Sequence, residues 1–216
     1  MKKPVVIIVL LAASLSLIDC STQSKASSDT ASMKTAFTIG SMPDYIATSV
    51  DKLYQEASVV IVGKFEKDNK SFVDHDTIET ESHMKVTKLL KGSLTDSEMK
   101  NGIDIVYYGG EVTLDTYLKN KTPVPEKVDS KGIVHKPKQY SKQERETEKV
   151  VYKVEQQANK DKDKNSEIMV FLSRNPAPNN YFVLADAFGY RKINNKGEVF
   201  NPITNSYEKV DFYSKN

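Results

Sequence analysis

The sequence predicts a mainly β fold with minor helix: a closed or nearly closed antiparallel barrel with a short leading helix and one inserted helix. Three observations predict it. Short runs of β-branched and aromatic residues recur along the chain, bounded by polar or glycine-containing turns. Some of these runs are continuously apolar and others alternate, as expected when part of a sheet is covered on both faces and part on one. The chain has 216 residues, 38% of them apolar, which is enough for a single core behind an apolar leader.

The leader comes first. Lys2 and Lys3 precede an apolar run from Val5 to Leu11, then small and apolar residues down to Leu17, Ile18, Asp19 and Cys20. A positive start, an apolar stretch and a processing point form the layout of a secretory signal. The run falls short of the about 20 apolar residues that a spanning helix needs. Residues 21–42 are mostly Ser, Thr, Lys and Ala, with too little apolar surface to order themselves, and are expected to be a flexible tether. From Pro43 onward, Ile46, Val50, Leu53 and Ala57 recur at spacings of three and four, which predicts an amphipathic helix capped by Ser41.

Strands follow. Val59 to Val62 is a continuous β-branched run, the pattern of a strand buried on both faces. Residues 77–87 alternate, with Ile78, Met84 and Val86 on one face and Glu79, Glu81, His83 and Lys85 on the other. Ile103 to Tyr108 is stopped by Gly109 and Gly110, and residues 168–172 and 181–185 are two further apolar runs. Asn194 to Gly197 is a hairpin signal ahead of Glu198, Val199 and Phe200. Between these core segments, residues 119–165 hold thirteen Lys or Arg and eight Asp or Glu and are expected to be a charged insertion. Within it Ser141 and Glu144 have capping-box spacing, which predicts a helix over residues 141–158. The expected organisation is therefore a signal peptide (1–19), Cys20 and its tether (20–42), and a barrel domain (43–216) carrying the insertion.

Composition excludes several functions. One cysteine rules out an internal disulfide framework and a cysteine-based zinc site. A formal net charge of +2 gives no reason to expect a nucleic-acid partner. No Gly-x-Ser-x-Gly, His-Glu-x-x-His or phosphate-loop pattern occurs, and no cofactor is expected.

Two resemblances rest on these residues. Residues 1–20, ending Leu17-Ile18-Asp19-Cys20, resemble the leader of a bacterial lipoprotein, which implies a diacylglyceryl attachment at Cys20 and a place on the outer face of the cell membrane. Asp19 stands where that pattern has a small residue, so a freely secreted chain cut after Ala26 is the alternative. The segments Val50 to Lys64, Lys85 to Gly92, Tyr107 to Glu111, Ile168 to Leu172 and Phe188 to Ile193 resemble a class of bacterial exported modules. Their order is similar to OB-like barrels of the netrin and metalloproteinase-inhibitor type. This resemblance implies an OB-like barrel and carries no catalytic residue across.

The candidate chemistry is sparse. Asp74, His75 and Asp76 with Glu79, Glu81 and His83 have the residue types of an oxygen and nitrogen metal site, although a solvated loop accounts for them more simply. Gly109 and Gly110 fit a bulge or a positive-φ turn better than a ligand cradle. Tyr107, Tyr108, Tyr181, Tyr190, Tyr207 and Tyr213 fit core packing and sheet edges better than an aromatic binding face. The expected function is a non-enzymatic, membrane-anchored binding module for an unidentified protein, peptide or cell-wall ligand, with Cys20 as lipid attachment and no catalytic or metal residue. The alternatives are a metal-assisted cell-envelope enzyme using His75, Asp76 and His83, and an inhibitor or immunity-type lipoprotein that sequesters a peptide or protease.

Overall fold

The computed structural model describes residues 32–41, 49–154, 166–174, 181–202 and 204–214. In chain order the elements are β1 (Lys34–Ser41), α1 (Val50–Glu56), β2 (Val59–Asp74), β3 (Thr77–Lys91), α2 (Asp96–Asn101), β4 (Ile103–Tyr108), β5 (Gly110–Thr113) and α3 (Leu114–Asn120). They continue with β6 (Lys127–Val128), β7 (Val134–His135), α4 (Lys142–Thr147), β8 (Glu148–Val154), β9 (Ile168–Arg174), β10 (Tyr181–Val183), a 3-10 turn (Asp186–Gly189), β11 (Tyr190–Lys192), β12 (Val199–Asn201) and β13 (Ser206–Glu208). Among these residues no helix is long and apolar enough to cross a membrane.

Five strands close into a barrel in the order β2-β3-β4-β10-β9 and back to β2. This is the mainly β, OB-like barrel expected from the sequence. Its seams are antiparallel except where β10 runs parallel to β4, Tyr181 beside Ile105 and Phe182 beside Val106. The β2 run predicted to be buried on both faces is so. Val59 and Ile61 point into the barrel, where they meet Met84, Ile105, Val170 and Leu172. Val60 and Val62 point outward, where Val50 and Leu53 of α1 and its C-cap Ala57 cover them together with Phe188, Val199, Val210 and Tyr213. The outer layer explains why these strands lack polar alternation.

The leading helix is shorter than its periodicity predicts. Its N-cap is Ser49, whose hydroxyl accepts from the Lys52 N–H at 3.1 Å, so Val50 is the first helical residue and Ser41 is not the cap. Ser41 instead ends β1, which corrects the tether: residues 34–41 are a strand of the folded domain. β1 lies parallel to β8 from Lys34 beside Glu148 to Ser41 beside Val154, and β5 pairs with the other edge of β8. A chain too polar to order itself is ordered by a neighbouring strand that satisfies its backbone groups.

The insertion is also corrected in part. The capping box at Ser141 and Glu144 forms, but α4 lasts only to Thr147 and the chain then becomes β8. Val150 and Tyr152 of β8 are buried with Ile78, Val112, Leu114 and Tyr117 in a second core. This core joins the three-stranded sheet β1-β8-β5 and α3 to the far end of the long β2–β3 hairpin. Residues 148–154 therefore belong to the folded domain, and among the described residues of the insertion the stretch between α3 and α4 projects from it. The turn predicted at 194–197 is present, closed by Gly197 N–H to Asn194 carbonyl at 3.0 Å.

Candidate functional site

The polar residues singled out on the alternating strand lie on the outward face of β3, beside β4. His83 is paired in register with Asp104. Its Nδ1 lies 2.7 Å from Asp104 Oδ1, and its Nε2 lies 2.9 Å from the Asn101 carbonyl oxygen. Both partners are acceptors, so the contacts at both ring nitrogens favour the protonated ring. Burial opposes that charge. The bonds to Asp104 and Asn101, with the charges of Asp104 and Glu66, outweigh it and hold the His83 pKa above the ordinary histidine value. An imidazole with both nitrogens committed has no lone pair for a metal or for general-base work. Asn69, set at a register shift in β2, donates to Glu81 at 3.2 Å and to Asp104 at 3.1 Å, completing a self-bonded acidic patch. On the opposite face of the same strands, Asp68, Ser82 and Tyr107 bond one another at the end of the barrel interior.

His75 and Asp76 are elsewhere. They form the tip of the β2–β3 hairpin, where His75 adopts a positive φ of 53° and lies 3.0 Å from Asp74. Extended strand separates His75 from His83, over roughly 25 Å at the strand rise. The constellation His75, Asp76 and His83 is thus not assembled, and among the described residues no three His, Cys, Asp or Glu are grouped to hold a metal. Asp76 instead accepts from the Thr122 N–H at 3.1 Å, fastening the chain after α3 to the hairpin tip. Glu79 is buried at 3% exposure. Burial first and the nearby Asp74 carboxylate second push its pKa up to about 7, against a smaller opposing effect of His75.

Gly109 and Gly110 serve the backbone. Their φ angles are 113° and 126°. Thr80 Oγ1 donates to the Gly109 carbonyl at 2.6 Å, and a Cβ on Gly110 would strike Thr80 Oγ1 and come within 2.8 Å of Ser71 Oγ. The pair lets the chain pass from the barrel (β4) into the second sheet (β5) across the hairpin. The tyrosines do not converge on one face. Tyr107 and Tyr190 pack with Phe65 inside the barrel, Tyr181 donates to Glu98 Oε1 at 2.7 Å, Tyr213 is buried in the outer layer, and Tyr207 is exposed beside Phe200.

Two features lie outside the sequence expectations. Arg191 is 1% exposed, and its Nε and Nη1 find no hydrogen-bond partner among the described residues. Burial lowers its pKa to about 10 against the opposing charge of Glu208, so it stays protonated at neutral pH. Nothing in the run Gly189-Tyr190-Arg191-Lys192 distinguishes the buried arginine from the half-buried lysine beside it.

The second feature is the arm between α3 and α4. β6 and β7 form a small hairpin, Lys127 beside His135 and Val128 beside Val134. Asp129 braces its turn: the carboxylate accepts from the N–H groups of Lys131 and Ile133, both at 2.9 Å, and Gly132 takes a φ of 77°. Val124, Val128, Ile133 and Val134 are 47–64% exposed there; the other exposed large apolar side chains among the described residues are Met99 and Tyr207. The signal for this hairpin is present as apolar β-branched residues on either side of Asp129-Ser130-Lys131-Gly132, hidden by the charge of its surroundings.

Cys20 lies outside the described residues. No family model, no curated protein and no solved structure matches the chain.

Proposed function

We propose that this chain is a bacterial surface lipoprotein in which a lipid on Cys20 holds an OB-like binding module on the outer face of the cell membrane. The module acts by binding rather than by catalysis. The observation that most supports this reading is the projecting hairpin arm at residues 121–140, a braced element whose Val124, Val128, Ile133 and Val134 side chains are turned to solvent rather than into either core. Exposed apolar groups concentrated on one small element are the signature of a contact surface. The committed hydrogen bonds of His83 and the separation of His75 from His83 weigh against the metal-assisted alternative. The carboxylates of Glu66, Glu81 and Asp104 on the barrel's strand face disfavour a phosphate backbone there.

The test is palmitate labelling in a Gram-positive host, wild type beside Cys20→Ala. Label on the wild type alone is the expected result. Absence of label, with the protein found in the medium, overturns the anchor and leaves a secreted binding module.

A further inference from the structure

We infer that the 121–140 arm is a second membrane contact, which lays its apolar hairpin into an anionic phospholipid surface and so orients the anchored module. The inference rests on the lipid-anchored reading above.

Three observations converge on it. The first is charge. From Lys119 to Lys142 the chain carries seven lysines and two carboxylates, Glu126 and Asp129. One of those carboxylates, Asp129, is turned inward to brace the hairpin turn. The lysine heads of Lys136 and Lys138 are 75% and 66% exposed, and Lys127 and Lys131 are exposed as well. The second is form. Val128 and Val134 are directly paired, so their side chains share one face of the ribbon, and Ile133, opposite Asp129 at the turn, is exposed as well. Short apolar side chains flanked by lysines match an anionic bilayer interface: the apolar groups enter the headgroup region and the lysines remain with the phosphates.

The third is position. Lys34, at the start of β1, is ion-paired with Glu148 at 3.1 Å, so the N-terminal segment carrying Cys20 joins the domain at the α4–β8 junction. The root of the arm is at the same place. Glu144 is held below the ordinary carboxylate value first by the Ser141 N–H and hydroxyl, and then by the charges of both Lys138 and Lys34. Lys138 itself lies 3.8 Å from Glu144. The stretch from Cys20 to Met33 reaches at most about 50 Å when fully extended, so a chain anchored at Cys20 presents this end of the domain to the membrane at high effective concentration. An acidic protein partner would meet the same charge, but it gains nothing from this placement beside the tether.

The chain contains no tryptophan, so Val128→Trp creates a site-specific reporter at a position that is 64% exposed. The experiment uses the full chain with Cys20→Ala and Val128→Trp, mixed with vesicles of phosphatidylglycerol and phosphatidylcholine or of phosphatidylcholine alone. The apolar leader is present in every sample, while the tryptophan reports only the arm. The expected result is a blue shift and quenching by brominated lipid with anionic vesicles, absent with neutral ones and lost at about 0.5 M salt. Adding Lys127→Glu, Lys131→Glu and Lys136→Glu is expected to weaken this partitioning on the order of a hundred-fold, since each lysine contributes roughly a five-fold effect. An emission that stays solvent-like on anionic vesicles overturns the inference. So does an equal shift on neutral vesicles, or a shift with soluble polyglutamate but not with vesicles, which would assign the arm to acidic polypeptides. Palmitate labelling reads the anchor independently. If the parent chain labels at Cys20 while the Cys20→Ala, Val128→Trp chain keeps a solvent-like tryptophan, the membrane assignment of the arm alone is lost. If the tryptophan shifts while the parent chain does not label, the anchor alone is removed.

Discussion

Glu79 and Arg191 are the two ionisable side chains that the fold treats most harshly. Glu79 has a folded pKa of about 7 against an ordinary value of 4.5, because burial and the Asp74 carboxylate both disfavour its charge. A raised folded pKa contributes stability that is complete below about pH 4.5 and is lost as pH rises through about 7. The full effect is of order 3 kcal/mol. Glu79→Gln, which cannot ionise, is expected to flatten the decline of the urea midpoint between about pH 4.5 and 7; an unchanged decline would assign it to other groups. His83 has the same sign, since its pKa is raised above 6.5, and it sheds stability only at higher pH. Arg191 is the reverse case: it remains charged while buried, with two nitrogens lacking partners among the described residues. Replacing such a charge by an apolar residue of similar length is commonly neutral to stabilising. Arg191→Met is therefore expected to raise the thermal midpoint, by about 1–2 kcal/mol of stability. A lowered midpoint would mean that the interaction with Glu208 outweighs the burial. The burial of neither residue is legible in the sequence, because local pattern records residue type and not the surface that later covers it.

At the scale of elements, the strands with continuous apolar runs are legible and the polar ones are not. β2 extends to Asp74, well beyond the Val59–Val62 run that announces it, through Lys64-Phe65-Glu66-Lys67-Asp68-Asn69-Lys70-Ser71. Four register shifts interrupt its pairing with β3, and two of them place the extra residue in β2, at Glu66 and Asn69. Each bulge moves the side-chain alternation by one residue, so no period of two survives for a sequence reading to find. α4 shows the opposite failure. Its cap is legible, but Val150 and Val154 fit both a helical stripe and a β8 strand, and pairing with β1 and β5 selects the strand. The glycine pair is structural, as its place at a strand end predicts. Gly110→Ala combines a positive φ with a clash against Thr80 and Ser71. Expected destabilisation is about 2 kcal/mol or more, measured as a lower denaturation midpoint. A loss under about 0.5 kcal/mol would show that the β4–β5 crossing can shift to admit a side chain.

At the scale of the whole molecule, the barrel, the β1-β8-β5 sheet and the arm differ in what they contribute. α3 and α4 are held together at the arm's base by Arg145 to Asp115 Oδ1, from Nε at 2.9 Å and from Nη2 at 2.5 Å, while Lys119 pairs with the other oxygen of Asp115 within α3 at 2.6 Å. Replacing 123–138 by a short Gly/Ser linker keeps these contacts and Tyr140, which packs on the second core. Such a variant is expected to unfold cooperatively within a few degrees of the parent. Deleting 119–165 removes β8 with its buried Val150 and Tyr152, and is expected to lose the second core and release β1, seen as exposure of the 34–41 amides to hydrogen exchange. If the shorter replacement unfolds the protein, the arm is a structural member of the domain and not an appendage.

The sequence by itself determined the β class, the strands whose neighbours cover them on both faces, and the cap that starts α4. Each is a local or periodic property, written in residues a few positions apart. Only the tertiary structure decided that residues 34–41 are a strand, that 148–154 leave a helical pattern for a sheet, that β4 and β10 close the barrel in parallel, and that His75 and His83 never meet. The pairings among these depend on backbone groups being satisfied by segments about forty to over a hundred residues away, and no window along the chain contains both partners of such a pair.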